Sequence, residues 1–540
     1  MSAQKQGAPA PQRKEYTREE VAKHNKQGDL WIVIDAEVYN VSKFSELHPG
    51  GENVFHDEEV AGQDATETFF GLHRREVLSK PQYQRLIIGT IKGEQSKLKP
   101  DPLGSPSRVP YGEPTWLTPA YHSPYFNDSH RHLQREWRKY VDEHIVEVAQ
   151  RCEDSGKRPD VELVKMLGKN GINAMRMGPG KHLHGRTLFA GIKGEEFDYF
   201  HELILTQELV RCGQRGFGDA LNGGMVIGLP PVMNFGSDEL KKEIVEPVLA
   251  GDKFICLAIS EAFAGSDFIC LAISEAFAGS DVMGLRTTAT LTDDGEHYIV
   301  NGTKKWITNG TFADYFSTAV KTDQGFAMIC IPRTAGNVET KQIKTSYSTT
   351  AGTAYVTFDN VKVPKKYLIG EDGMGIYYIL SNFNHERWVM CCSTIRAARA
   401  VCEECMLWIH QRKVFGKPLT SQPVIRQKLA QMISLVEAAQ NWLENVTYQM
   451  CKMSYAQQSK FLAGQVGLLK SWSTRVSHEV ADGAVQIFGG RGLTKTGMGK
   501  FVEMFHRTYK FDAVLGGSEE VLADLGIRQA LRMMPENARL

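Results

Sequence analysis

The sequence predicts a multidomain protein: a small α+β unit, a proline-rich stretch, and a larger body that runs helical, then β-rich, then helical again. Three observations predict it. At 540 residues the chain exceeds one core, since domains hold roughly 100–200 residues each. Pro100, Pro102, Pro106, Pro110 and Pro114 fall between Ser96 and Thr115, and prolines so placed exclude a regular helix. Beyond Thr115 the apolar spacing changes twice, from three and four residues to short β-rich runs and back. A doubly wound sheet would instead alternate strand and helix.

Taken in order, residues 1–14 read as a mobile polar arm, and Thr17 with Glu20 has the spacing of a helix capping box. Leu30–Ile34 and Val38–Val41 read as two strands with a turn at Asp35–Glu37. Short helices are expected to about Lys80, completing a unit at 15–94. The linker, 95–115, spans up to roughly 60 Å if fully polyproline-like, enough to let the first unit swing over the second. Residues 116–250 are expected to be helical, on spacings such as Trp137, Tyr140, Val141, His144 and Ile145. Residues 251–365 are expected to be β-rich, with Tyr298–Val300, Ala327–Ile331 and Ala354–Phe358 as short runs. Helical periodicity returns over 366–535, and 536–540 is a tail. Within the β-rich part, Phe254–Asp267 recurs without change as Phe268–Asp281. Two copies are too few for a solenoid, which needs three or more.

Composition narrows the function. Hydrophobic residues make up 42% and charged residues 23%, the balance of a soluble globular protein. Lys and Arg number 63, as do Asp and Glu, so nothing in the net charge recommends nucleic acid or an anionic membrane as partner. The first residues have no apolar core of a signal peptide, and no apolar run is long enough for a membrane span. The ten cysteines are therefore expected to be reduced, and the lone Cys402–Cys405 pair to be helix packing. The Gly-x-Gly pairs at Gly178, Gly373, Gly490 and Gly497 do not extend into GxGxxG, and neither GxxxxGK[ST] nor HExxH is present.

In the first unit, His48 precedes a Pro-Gly-Gly turn and His73 follows Phe69-Phe70-Gly71-Leu72. Two imidazoles on opposing short helices ligate both axial positions of a haem iron, with aromatics covering the porphyrin. With Trp31 to Phe44 before them and Asp64-Ala65-Thr66 between, the unit resembles the cytochrome b5 haem domain. The resemblance implies one haem b held by His48 and His73. The ring nitrogen opposite the iron in each is expected to meet a backbone carbonyl.

In the body, Leu271-Ala272-Ile273-Ser274-Glu275-Ala276-Phe277-Ala278-Gly279-Ser280-Asp281 is followed by Asn301-Gly302-Thr303-Lys304-Lys305-Trp306-Ile307-Thr308. Arg412-Lys413-Val414-Phe415-Gly416-Lys417-Pro418 and Gln486-Ile487-Phe488-Gly489-Gly490 come later. In that order these segments resemble the acyl-CoA dehydrogenase family, from about Trp116 to Arg532. The resemblance implies an N-terminal helical domain, a middle β-barrel and a C-terminal four-helix bundle around FAD. It places Leu271, Ala272, Ile273, Ser274, Gly279 and Ser280 along the flavin, with Ser280 also near the acyl-CoA, and Trp306, Ile307 and Thr308 against the isoalloxazine ring. Arg412 would reach the FAD of a neighbouring subunit, with Gln486, Gly489 and Gly490 closing over it, which implies a homodimer or homotetramer. The duplication leaves one copy displaced. The second continues the family pattern through Asp281-Val282-Met283, so Phe254–Asp267 is expected to be a surface bulge, the first copy remaining the alternative.

The family's Gly-Thr-Ser-Glu turn is altered here to Gly516-Gly517-Ser518-Glu519-Glu520. The resemblance puts Ser518, Glu519 and Glu520 on the cofactor side and Gly516 and Gly517 on the substrate side. In one branch the base for the α-proton precedes this turn, where this chain has Gly516. In another it lies in a D-x-E-R-like stretch, matched by Asn384-His385-Glu386-Arg387. Glu386 is therefore the expected base, with Asn384 and Arg387 beside the substrate and Glu519 and Glu520 as alternatives. The implied reaction is oxidation of an acyl-CoA to the trans-2-enoyl-CoA, with electrons passing to the haem domain, an electron-transfer flavoprotein or oxygen. Alternatives are an acyl-CoA or nitroalkane oxidase-like flavoprotein and an inactive haem carrier. Ala538-Arg539-Leu540 resembles a peroxisomal address, with a cytoplasmic location otherwise.

Overall fold

The computed structural model describes residues 13–98, 101–259, 264–265, 277–278 and 284–538. The chain divides into two compact units, one drawn from Met1–Pro102, Leu407–Ile425 and Phe488–Lys500, the other from Leu103–Met406, Arg426–Ile487 and Phe501–Leu540.

In the first unit Asp35 and Ala36 both have positive φ, 50° and 67°. This two-residue turn matches strand twist and joins Asp29–Ile34 to Glu37–Asn40 as a hairpin. The sheet runs in the order Lys14–Tyr16, Ile87–Ile91, Glu37–Asn40, Asp29–Ile34, Asn25–Lys26. Lys14 lies in a strand parallel to Ile87–Ile91, so the folded unit begins inside the expected arm, because that sheet edge offers unpaired backbone groups. The Thr17–Glu20 capping box forms as expected. Alternation sends Leu30, Ile32 and Ile34 to a core with Tyr39 and Phe55, and Val33 and Val38 to a smaller one with Tyr16, Val21 and Ile91.

In the second unit the described part of the proline-rich stretch, from Gly104 on, is held by side chains of that unit. Gly104 N donates to Asp142 at 3.1 Å, and Ser107 N to Glu113 at 2.8 Å. Glu113 is buried and takes two hydrogen bonds from Arg138, at 2.7 and 2.9 Å, and one from Arg396 at 3.3 Å. Ser96 and Lys97, in the first unit, likewise bond the carboxylate of Asp35. Prolines remove helical bonding, and the freed backbone is satisfied by side chains instead.

The helices Asp128–His144 and Tyr199–Val210 carry the N-terminal helical part. The β part is one seven-stranded sheet, ordered Gly325–Pro332, Tyr315–Thr322, Thr288–Leu291, His297–Ile307, Ala354–Pro364, Val338–Gln342, with Ile255–Ala258 pairing Tyr315–Thr322 in parallel. No strand pair joins the ends among the described residues, so the expected barrel is unclosed. Phe383–Gln411, Pro423–Lys452, Ala463–Phe488 and Lys500–Val514 supply the long C-terminal helices. Cys402 and Cys405 are buried, free and packed on the first of these. Among the described residues no helix is long and apolar enough to cross a membrane.

The duplication resolves differently from expectation. Ile255–Ala258 of the first copy is a strand of the main sheet, with Ile255, Cys256 and Ala258 buried, and is no surface bulge. Identical sequences have identical strand preference, so connectivity decides. The helix Asp238–Ala250 stops at Gly251 in the left-handed conformation, and Phe254 is then held by Asp314, whose carboxylate accepts Phe254 N–H at 2.8 Å. The second copy, including Leu271, Ala272, Ile273, Ser274, Gly279 and Ser280, lies outside the described residues apart from the short strand Phe277–Ala278.

Burial alone would push the Glu113 carboxyl up, but the Arg396 charge and the Arg138 hydrogen bonds outweigh it and hold it at about 2, against 4.5 ordinarily. A depressed carboxyl stabilises the fold fully above its unfolded value and loses that contribution as pH falls through its folded value. Glu113→Gln should therefore lower Tm by the equivalent of about 3–5 kcal/mol, the cost of orphaning a buried partner. It should also shrink the acid unfolding limb between pH 4.5 and about 2. Thermal melts across that range check both.

Candidate haem site and candidate active site

His48 and His73 face each other with ring centres 5.8 Å apart. Each is oriented from behind: His48 Nδ1 donates to Gly51 O and His73 Nδ1 to Phe69 O, both at 3.2 Å. These are the backbone carbonyls the sequence left unidentified, and they leave both Nε2 atoms as acceptors for a metal. Phe69 stacks on His73 at 4.6 Å and Phe55 meets His48 edge-on at 5.0 Å. Gly50 is required: a Cβ there would lie 2.8 Å from His48 Cε1. Burial lowers the His73 pKa, favouring the neutral ligand form. Both residues fit a bis-histidine haem.

The helix Phe383–Gln411 carries Glu386 to the wall of an interior cavity of about 100 Å³ lined also by Thr308, Met390 and Leu515. The residue is half-buried, and desolvation pushes its pKa up, with Arg387, Lys470 and His385 pulling it partly back. Its carboxylate makes no hydrogen bond or ion pair among the described residues. Arg387, the neighbour that would have neutralised a purely structural glutamate, instead donates Nε to Gly516 O at 2.9 Å. Gly516 has φ 63°, and a Cβ there would lie 3.8 Å from Glu386 Oε1. The two positions that sequence reasoning weighed for the base therefore converge on one place. Lys470, buried and pushed down to about 8 by desolvation, bonds Ala513 O at 3.3 Å and also Gly517 O, fixing the turn.

Trp306 has φ 68° at a bulge in His297–Ile307 and is 46% exposed, a flat ring free to meet another. Thr308 lines the Glu386 cavity, while Ile307 packs into the sheet. An exposed aromatic platform followed by a cavity-lining hydroxyl suits a flavin. Asn384 is half-buried, Glu520 exposed, and Ser518 caps Glu519–Arg532 by its backbone position alone. Glu519 is buried with Oε1 unpartnered, but Glu386 and not Glu519 lines the cavity. Gln486 is exposed on Ala463–Phe488. Arg412, Gly489 and Gly490 belong to the first unit, where Arg412 starts a hairpin whose tip, Phe415, is 96% exposed.

Sequence reasoning missed a polar network on the same cavity. Arg215 and Asp219 both line it, and Arg215 pairs with Asp219 at 2.7 Å and Asp512 at 2.8 Å. Tyr347 also donates to Asp219 at 2.6 Å. Glu202, fully buried, accepts from His385 Nε2 at 2.9 Å. Only folding brings these positions together.

His130, Asp198 and His201 gather closely enough to suggest a metal. Their hydrogen bonds say otherwise. His130 Nδ1 accepts Asn127 N–H, so its proton sits on Nε2 and goes to Asp198 at 3.0 Å. His201 Nδ1 meets both the backbone N and the carboxylate of Asp198, at 3.1 and 2.8 Å, and its Nε2 bonds Ser129 at 3.0 Å. The group is two interlocked helix caps.

The unpaired Glu386 carboxylate at a cavity wall and the helical–β–helical order around it are what the family resemblance led us to expect. Comparison with known proteins takes this further. The models "Acyl-CoA dehydrogenase, N-terminal domain", "middle domain" and "C-terminal domain" match residues 127–252, 270–361 and 373–531. The "Cytochrome b5-like Heme/Steroid binding domain" matches 17–94. The chain is 36% identical to Acyl-CoA dehydrogenase apdG of Emericella nidulans, over 79% of this chain and 96% of that one. It is 33% identical to Acyl-CoA dehydrogenase AFT10-1 of Alternaria alternata, over 78% and 96%. Among solved structures, a probable acyl CoA dehydrogenase from Mycobacterium abscessus superposes with TM-score 0.63 at 25% identity, covering 75% of this chain and all of that one. An acyl-CoA dehydrogenase complexed with FAD from Bacillus anthracis gives 0.64 at 24%, covering 76% and 68%. The chain belongs to the acyl-CoA dehydrogenase family and carries a cytochrome b5-like domain at its N-terminal end. It is an oxidoreductase that binds FAD and haem. The middle-domain match starts inside the second copy of the duplication, although the sheet takes its strand from the first.

Replacing His48 or His73 by Ala is expected to abolish the low-spin haem spectrum while flavin absorbance persists, as absorption spectra of the purified variants would show.

Proposed function

We propose that this enzyme oxidises an acyl-CoA thioester between its α and β carbons to the trans-2-enoyl-CoA, with Glu386 as the base that removes the α-proton. The carrying observation is a half-buried carboxylate with no side-chain partner among the described residues, on the wall of a cavity. FAD, when bound, supplies acceptance of the β-hydride. Glu386 takes the α-proton, and its desolvation favours the protonated form it then adopts, which strengthens it as a base. Arg387 and Lys470 hold the Gly516–Gly517 turn beside it, which keeps that wall in place.

The haem domain is read as the acceptor of the electrons. Carrying both cofactors on one chain raises their effective concentration for each other. A haem held by His48 and His73 would supply one-electron chemistry, so the two electrons of each turnover would pass one at a time to an outside acceptor. An assembly of two or four copies is supported by Phe415, exposed at the tip of the hairpin that Arg412 begins. The C-terminal Ala538-Arg539-Leu540 supports a peroxisomal address; a fluorescent fusion with this end free should appear in that organelle and not throughout the cytosol.

Glu386→Gln should keep FAD and acyl-CoA binding and lose on the order of 10²–10⁴-fold in the rate of flavin reduction. A raised carboxyl must be ionised to act, so the wild-type rate should climb with pH through a value above 4.5. The variant should lose that limb, and near-normal flavin reduction in it would move the role to Glu519 or Glu520. In anaerobic stopped-flow mixing with substrate, haem reduction should trail flavin reduction. A haem that stays ferric throughout turnover excludes the relay.

A further inference from the structure

The far wall of the Glu386 cavity is polar in a way that oxidation of a plain hydrocarbon chain does not need. Arg176, at the end of the short helix Ile172–Met175, is 6% exposed and lines the cavity. Its Nη1 bonds Thr206, but its buried Nε has no hydrogen-bond partner. Among the described residues no carboxylate lies within salt-bridge distance of it. Glu202, the acid whose field bears on it most, is already shared with His385. Arg215, on the same cavity, is fully paired with Asp219 and Asp512. Arg176 is thus the buried cation there that has been left without a counter-charge.

Gln214 gives a second, independent sign. It is buried and lines the same cavity, and its Oε1 has no partner. Its orientation is set from behind. Gln150 Nε2 donates to Asp154 at 2.8 Å, so Gln150 Oε1 remains to accept Gln214 Nε2 at 3.0 Å. Turning the Gln214 amide would set two oxygens against each other. One donor and one acceptor are therefore orphaned on a single cavity, and a buried polar group left unpaired calls for an explanation, which a ligand in that cavity supplies.

We propose that the acyl group this enzyme accepts carries an oxygen function beyond its β-carbon, a hydroxyl, oxo or carboxylate group, which Arg176 recognises by hydrogen bonding and Gln214 completes where that group has a proton to give. The inference rests on the acyl-CoA reading above and adds a substrate class to it. A site built to hydrogen-bond an oxygen discriminates against the analogue lacking it, because its own polar groups then stay buried and unpaired.

The test is flavin bleaching by purified holoenzyme with CoA esters matched in length: butanoyl against 4-hydroxybutanoyl and succinyl, and pentanoyl against 4-oxopentanoyl and glutaryl. Wild-type protein should favour at least one oxygenated class by 10-fold or more in kcat/KM for flavin reduction, and the favoured class tells hydroxyl, oxo and carboxylate apart. Arg176→Met should lower the oxygenated-to-plain ratio by roughly 10–10²-fold, the size of a lost hydrogen bond to a charged group, and Arg176→Lys should recover part of it. Equal wild-type rates on plain and oxygenated esters overturn the inference with no variant needed. So does an Arg176→Met enzyme whose ratio is unchanged. Bleaching by plain esters alone overturns the inference and leaves the acyl-CoA reading standing, while no bleaching by any ester removes both.

Discussion

Glu113 from the proline-rich stretch, Glu208 from Tyr199–Val210 and Arg138 from Asp128–His144 meet away from water, where an unmatched charge costs several kcal/mol. Arg396 of Phe383–Gln411 reaches the same carboxylate, and Arg399 of that helix bonds Glu113 O at 3.1 Å and pairs with Glu437. These charges tolerate only an arrangement in which each has its partner. That requirement fixes Tyr199–Val210 against Phe383–Gln411. The first helix also carries Glu202 and Thr206, the second His385 and Glu386, so the cluster that locks the body sets the walls of the cavity.

Beside this cluster, the cavity is distinguished by what it leaves open. The Glu386 carboxylate has no side-chain partner there, Arg176 has an idle donor and Gln214 an idle acceptor, although the same interior satisfies Arg138 at both ends. A fold that gathers six charges into pairs in one place and leaves three polar groups open on one cavity is separating structural from chemical use of the same residue types. The candidate haem site shows the same division inside one residue, since His48 and His73 each spend Nδ1 on a backbone carbonyl and leave Nε2 able to accept a metal.

Much of this was legible in the chain. The paired histidines with their Pro-Gly-Gly turn, the Thr17 capping box and the helical–β–helical order all came through as read, because each depends on neighbours close in sequence. Other readings yielded to long-range contacts. The part of the linker from Gly104 to Glu113 is held by Asp142 and by the Arg138 and Arg396 clamp, which no local pattern reveals. The first copy of the duplicated segment took the sheet position expected for the second, since residue preference cannot separate two identical segments and the short connection from Gly251 can. The Arg387 that might have neutralised Glu386 turned to Gly516 O.

The sequence by itself determined the order of domains and the kinds of cofactor, because motif residues carry that chemistry wherever they are placed. Tertiary structure alone decided that Glu386 stays unpaired, that Gly516 opens onto it, and that Arg176 and Gln214 share its cavity. Those facts depend on the spacing of groups from distant parts of the chain. Burial, which sets the protonation of a carboxylate and the appetite of an unpaired guanidinium, exists only once helices and sheet have closed around them.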